Sequence, residues 1–227
     1  MRLMHLPAMT GLIPAIAIHV CYLIAANAGH VPWCLPYIDN CTSISAVGRE
    51  GTERFIFRAT MIPTAVLMTL YWLLNHQWLR SLESPWRRAN HAMLLSGMTG
   101  CFGLLLYTTV LGVIGEEYAT YRRIGVTIFY VFSVSAQIVL TLQLGALRRW
   151  GAVEISRGLW RALWILCVAV VAAGTLNLLL PVLPFRDLHN ALAWTATFLI
   201  LLHILAVGRA WKATGFRVAF TVGEARG

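Results

Sequence analysis

Charge is what this sequence has least of. Only 12% of the 227 residues are charged, against 59% hydrophobic residues and a mean hydropathy of +0.70, a balance that excludes an ordinary soluble domain of this size. Lysine is nearly absent. Seventeen of the 18 basic residues are arginine, a bias that fits GC-rich coding sequence and leaves a bacterial inner membrane as open as a Golgi or ER membrane. The basic residues do not cluster as a nucleic-acid surface requires, so no nucleic-acid partner is expected. Low-complexity stretches and soluble appendages are missing too. So is an internal repeat, which removes the inverted halves of many transporters, and no line of charge runs through the apolar segments. Met1 to Pro7 carries Arg2 but lacks the basic region and small-residue cleavage site of a removable signal, so the first apolar run reads as a retained span. No G-x-S-x-G elbow marks a nucleophile.

What remains is apolar length. Six runs reach the roughly 20 residues that a spanning helix needs, over about 10–28, 55–75, 91–114, 123–147, 159–183 and 189–210. The expected fold is all-α: a single domain, 1–227, forming an integral bundle of six transmembrane helices. Gly97, Gly100 and Gly103 make a smooth ridge on the third run, and Ser133, Ser135 and Gln137 make the fourth partly polar. Both features predict helix contacts rather than a pore. Cys21, Cys101 and Cys167 lie in apolar runs and read as packing residues.

Arginine placement predicts orientation. With a cytoplasmic N-terminus, 12 of the 18 basic residues fall on the cytoplasmic side, including Arg80, Arg87, Arg88, Arg148, Arg149, Arg157 and Arg161. Six of the nine acids fall on the other side, among them Asp39, Glu50, Glu53, Glu116, Glu117 and Asp187. Both termini are therefore expected in the cytoplasm. The surplus positive charge also suits anionic lipid headgroups.

One long polar stretch interrupts the apolar pattern, His30 to Arg58. Pro32 and Pro36 fix φ there, Gly48 and Gly51 permit positive φ, and Trp33, Leu35, Tyr37 and Ile38 supply an apolar underside for resting on helix ends. A structured extracytoplasmic loop is expected. Its compartment permits disulfides, and Cys34 and Cys41 are the candidate pair. The candidate lipid-binding residues are Arg58, Arg54, Glu53, Asp39, Ser43, Ser45, His30 and His189. Guanidinium groups suit a phosphate, while carboxylates suit hydroxyls or amines. Arg58 leads the set, because an arginine about one turn into an apolar helix must point inward or snorkel to the headgroups. A hydrolytic or transfer site would draw its nucleophile from Ser43 or Ser45 and its base from His30 or His189, with Asp39, Glu53 or Asp187 orienting that base. The serines serve equally as turn hydrogen-bonders.

Ser43-Ile44-Ser45, Gly48, the acidic gap from Glu50 to Glu53 and the helix start Phe55-Ile56-Phe57-Arg58 carry a resemblance. The pattern is similar to that of a six-span family containing the DRAM autophagy modulators, the Golgi factor for lipid remodelling of GPI anchors and the amino-terminal half of a yeast protein that places ceramide on those anchors. The GPI-remodelling branch is the nearer match. Weaker similarity covers Glu116 to Leu142 and Leu188 to Trp211, with Arg122 and Arg123 standing about where relatives have His, and Ala193 where they tend to have Glu. The resemblance implies a multi-pass protein that binds or helps remodel a lipid or lipid anchor at the extracytoplasmic face, with membrane lipids and lipid-anchored proteins as partners. It implies no cofactor and no metal, and it leaves both catalysis and oligomeric state open.

Two readings of other classes stand beside it. One is a non-catalytic scaffold that recruits partners through its basic loops. The other is an electron-transfer protein: His5 and His19 are 14 residues apart, as are His189 and His203, so antiparallel first and last helices would offer two facing pairs for haem. An absorbance scan of the purified protein decides the latter. A Soret band is expected for the haem reading and no such band for a lipid-binding bundle.

Overall fold

The first apolar run begins its helix at Leu6 with Pro7 in the opening turn, where a missing N–H costs nothing. The computed structural model describes residues 5–180 and 188–217. Arg2, Arg186, Asp187, Arg226 and the expected end of the fifth span at 181–183 lie outside the described residues. Within them the chain forms eight helices and no strand: α1 (Leu6–Asn27), α2 (Pro36–Asp39), α3 (Ile44–Val47), α4 (Gly51–Ser81), α5 (Arg87–Val110), α6 (Glu116–Arg149), α7 (Arg157–Leu179) and α8 (His189–Ala213). The six long helices are apolar enough to cross a membrane, as the composition requires.

Several helix ends differ from the expected limits, because polar ends carry the helices past the apolar runs. Glu116 and Glu117 occupy the first turn of α6, where carboxylates complement the helix dipole, so this helix begins well before residue 123. Its 34 residues extend about 51 Å at about 1.5 Å per residue, well beyond a hydrocarbon core of roughly 30 Å. The 31 residues of α4 likewise run on through Arg80.

The long helices pack in chain order, α1 on α4, α4 on α5, and so on, and α8 closes on α1. This ring has two unlike ends. At one, α2, α3 and the loops around them form a cap. At the other, the α4–α5 and α6–α7 turns carry arginines. The glycine ridge of α5 is divided between two neighbours. A Cβ on Gly97 would fall 2.3 Å from the Trp72 indole of α4, and one on Gly103 would fall 2.7 Å from the Gly125 carbonyl of α6. Polar cross-links tie α8 inward: Trp211 Nε1 donates to Asn75 Oδ1 of α4 (3.0 Å), and Gln137 Nε2 of α6 donates to the Ile200 carbonyl (2.9 Å). Tyr130 of α6 bonds the Thr197 hydroxyl and the Ala193 carbonyl. In lipid, where apolar burial drives nothing, close approach and hydrogen bonds are what hold helices together.

Gly103→Ala should push α5 and α6 apart at a backbone contact that cannot yield, costing about 1–3 kcal/mol. Gly174, whose added Cβ would meet nothing within 4 Å, is the control. Thermal unfolding in detergent should show a drop for Gly103→Ala and none for Gly174→Ala; equal midpoints would rule out the close-contact account of the ridge.

Candidate functional site

Gly29, at φ +75, ends α1 with the bond pair His30 N to Ala25 O (2.9 Å) and Gly29 N to Ala26 O (3.2 Å). This left-handed termination turns the chain sharply and sets His30 over the end of the bundle. Opposite it α4 begins, with Glu53 in its first turn. His30 Nδ1 lies 2.5 Å from Glu53 Oε1; the carboxylate is 1% exposed and the imidazole 30% exposed. Gly51, at φ +55, makes the approach possible, since a Cβ there would fall 2.6 Å from Glu53 Oε2 and 2.7 Å from His30 Cε1. Beneath, the Cys21 thiol of α1 reaches the Glu53 carbonyl at 3.6 Å. A buried carboxylate at a helix N-terminus is favoured by the helix dipole and compensated by the imidazole. With Nδ1 committed to Glu53, Nε2 makes no hydrogen bond to any described residue. The partly exposed ring is thus held by the carboxylate through Nδ1 alone.

The other expected residues take different places. Ser43 caps α3 by accepting from Ala46 N (3.1 Å) and lies 3.0 Å from Ser45 Oγ. Neither serine bonds His30, so no Ser–His pair forms. Asp39 is exposed and accepts from Leu35 N (2.7 Å), closing the short turn of α2. Arg58 donates Nη2 to the Leu111 and Thr109 carbonyls at the end of α5, and Arg54 reaches the Gly112 carbonyl (3.5 Å) while lying over the Phe55 ring (5.1 Å). Both arginines therefore clip the start of α4 to the α5–α6 turn, and among the described residues neither has a carboxylate at ion-pair distance. His189 lies at the start of α8 with Nδ1 2.6 Å from Asn177 Oδ1.

Residues outside the expected set, together with the expected Cys34–Cys41 pair, hold the cap in place. Asn40, at φ +55, accepts through Oδ1 from Asn190 N (2.7 Å) and Ala191 N (3.0 Å), so a loop residue caps α8 from 150 positions away. Trp194 Nε1 donates to the Thr42 carbonyl (2.9 Å). Tyr22 of α1 donates to the Cys34 carbonyl (2.7 Å) and accepts from the Cys34 N–H (2.8 Å). Cys34 and Cys41 are joined in a disulfide, with Cα atoms 6.6 Å apart. An Asn after a short helical turn was the available signal for a cap; its distant target was not.

Below the cap, His19, Tyr37, Trp194 and Phe198 line a narrow seam between α1 and α8. Burial pushes the Tyr37 phenol above its ordinary pKa, keeping it a proton donor, and its hydroxyl lies 3.0 Å from His19 Nε2. His19 Nδ1 in turn lies 2.7 Å from the Ala15 carbonyl. Both nitrogens of His19 are thus engaged. His203 is wholly buried and turned toward Thr141 of α6 (2.9 Å). Of the histidines in the two pairs expected for haem, His19 has both nitrogens engaged and His203 directs Nε2 at α6.

A family model described as the Frag1/DRAM/Sfk1/Cwh43P N-terminal domain matches residues 2–207. No curated protein and no solved structure matches the chain.

Two substitutions separate support of the cap from contact with a ligand. Arg58→Gln should cost about 2 kcal/mol through lost charged hydrogen bonds, and Asn40→Ala about 1 kcal/mol through a lost helix cap. Denaturation of the purified protein measures both. An Arg58→Gln protein as stable as the parent would show that its carbonyl contacts carry no weight.

Proposed function

The chain belongs to the Frag1/DRAM/Sfk1/Cwh43 family of multi-pass membrane proteins, and on that premise we propose that it binds, and helps remodel, a lipid or lipid anchor at its capped end. The observation that carries this reading is the His30–Glu53 pair: an imidazole 30% exposed and fixed by a buried carboxylate, at one end of the spanning helices. The arginine distribution supports an extracytoplasmic position for that end. His30 Nε2 accepts a proton from a headgroup hydroxyl or amine, or from a water. Glu53 holds the ring in the tautomer that leaves Nε2 unprotonated and stabilises the imidazolium that follows. Arg54 and Arg58 keep the rim of the cap in place. Phe198, 41% exposed beside the seam of α1 and α8, offers an apolar surface to an acyl chain.

Chemistry at this site needs no protein nucleophile, because the proton acceptor acts on a hydroxyl that the substrate or solvent supplies. A scaffold that recruits partners through the basic loops is the competing reading, with no particular contact in its favour. Glu53 would be left buried and unpaired in His30→Ala, so the informative variant is His30→Gln, which can still donate to the carboxylate but is no base. Mass spectrometry of lipids and lipid anchors in the expressing host should show the protein's effect lost with His30→Gln and weakened with Glu53→Gln, at unchanged membrane abundance. An unaltered lipid profile in both variants, with partner binding lost only on changing the basic loops, would favour the scaffold.

A further inference from the structure

A cavity lies at the opposite end of the bundle from the cap. It encloses about 610 Å³ where α4 turns into α5, within the roughly 300–1,000 Å³ usual for small-ligand sites. Its walls place Arg80, from the last turn of α4, and Arg87, the first residue of α5, around His76, Asn90 and His91. Both guanidinium groups are exposed, and no carboxylate among the described residues pairs with either. The two imidazoles lie with ring centres 4.9 Å apart.

Deeper in, the wall is polar and incompletely satisfied. His76 is 6% exposed and Asn90 3% exposed. Asn90 Nδ2 donates to the His76 carbonyl (3.1 Å), yet Asn90 Oδ1 and His76 Nδ1 have no partner. Buried polar atoms without partners are uncommon and cost about 1–3 kcal/mol each, and both of these belong to side chains that line the cavity. The first turn of α5 adds to this, since its N-cap Trp86 offers no side-chain hydrogen bond and the positive end of the helix dipole faces the same space. One acid, Glu83, stands on the rim. It holds a left-handed φ of +53 at the end of α4.

We propose that this cavity binds a phosphomonoester, with Arg80 and Arg87 on the phosphate oxygens and the buried imidazole and amide on its floor. A phosphomonoester has the oxygens that guanidinium groups grip, two of them free for bidentate contact. The site is at headgroup depth: Trp86 beside it stacks on Trp150 with ring centres 4.7 Å apart, and indoles at helix ends mark the membrane interface. The phosphate can therefore come from a lipid headgroup within the leaflet or from a soluble molecule. This site is independent of the His30–Glu53 pair, and its success or failure leaves that reading untouched.

The full-length protein in phosphatidylcholine nanodiscs tests both sources. One arm adds phosphatidic acid and counts the lipid retained by native mass spectrometry; the other titrates inorganic phosphate and follows the indole fluorescence that Trp86 contributes. Binding is expected in at least one arm. Phosphatidic acid alone would identify a lipid headgroup, and inorganic phosphate a soluble ligand. Arg80→Gln with Arg87→Gln should weaken that binding about tenfold or more, as loss of charge-assisted contacts implies. Arg157→Gln with Arg161→Gln removes the same charge at the same end, outside the cavity, and should leave it unchanged. Glu83→Gln should tighten it. No binding in either arm, or equal weakening in the two arginine pairs, would overturn the proposal.

Discussion

A carboxylate that loses its water must gain a partner, and Glu53 is such a carboxylate. It is buried in the first turn of α4, under a loop, at the end of a bundle that offers little other polarity. His30 is its answer, and the position of His30 depends on how α1 stops: a left-handed glycine and two backbone bonds turn the chain there. Because Gly51 leaves no side chain in the way, three separate segments converge on one imidazole–carboxylate contact. Breaking that contact from either side leaves an uncompensated charge or an unpositioned imidazole, and this makes the pair at once a structural joint and the most reactive feature of the cap.

Around that joint the cap is tied to the spans by hydrogen bonds to helix ends and to buried aromatic side chains. Asn40 closes the start of α8, Trp194 holds the Thr42 carbonyl, Tyr22 brackets Cys34, and Arg58 takes the carbonyls at the end of α5. These contacts follow from one requirement. The first N–H groups and last C=O groups of a helix have no partners within it, and near a bilayer water cannot be relied upon to supply them. The opposite end meets the same requirement differently, with arginines that stay exposed around a cavity and indoles that mark the interface. One end is therefore closed over a carboxylate and the other left open to an anion, on a framework whose family ties it to membranes.

Much of this was legible in the sequence for a simple reason. Span number depends on the length of apolar runs, and six were present; the family pattern at Ser43 to Arg58 was local and continuous, so it could be read directly. Helix limits were less legible. Polar residues such as Glu116, Glu117 and Arg80 extend helices beyond the hydrocarbon, and hydropathy does not register them. Within the cap, Glu53, His30 and Arg58 are candidates that the sequence itself offers; that Arg58 is held by backbone carbonyls 51 and 53 residues away is not legible there. Equal spacing of histidines likewise does not say which neighbour each one faces: His203 turns Nε2 to Thr141 of α6.

By itself the sequence determined that the chain is a six-span α-helical membrane protein with one polar loop worth attention, because apolar length, turn residues and charge are local properties summed along the chain. Only the tertiary structure decided which polar groups meet. His30 and Glu53 are 23 residues apart, Asn40 and Asn190 are 150, and such pairings depend on the way helices rotate and stack. That arrangement is fixed by close contacts such as Gly103 on Gly125, which no single segment encodes.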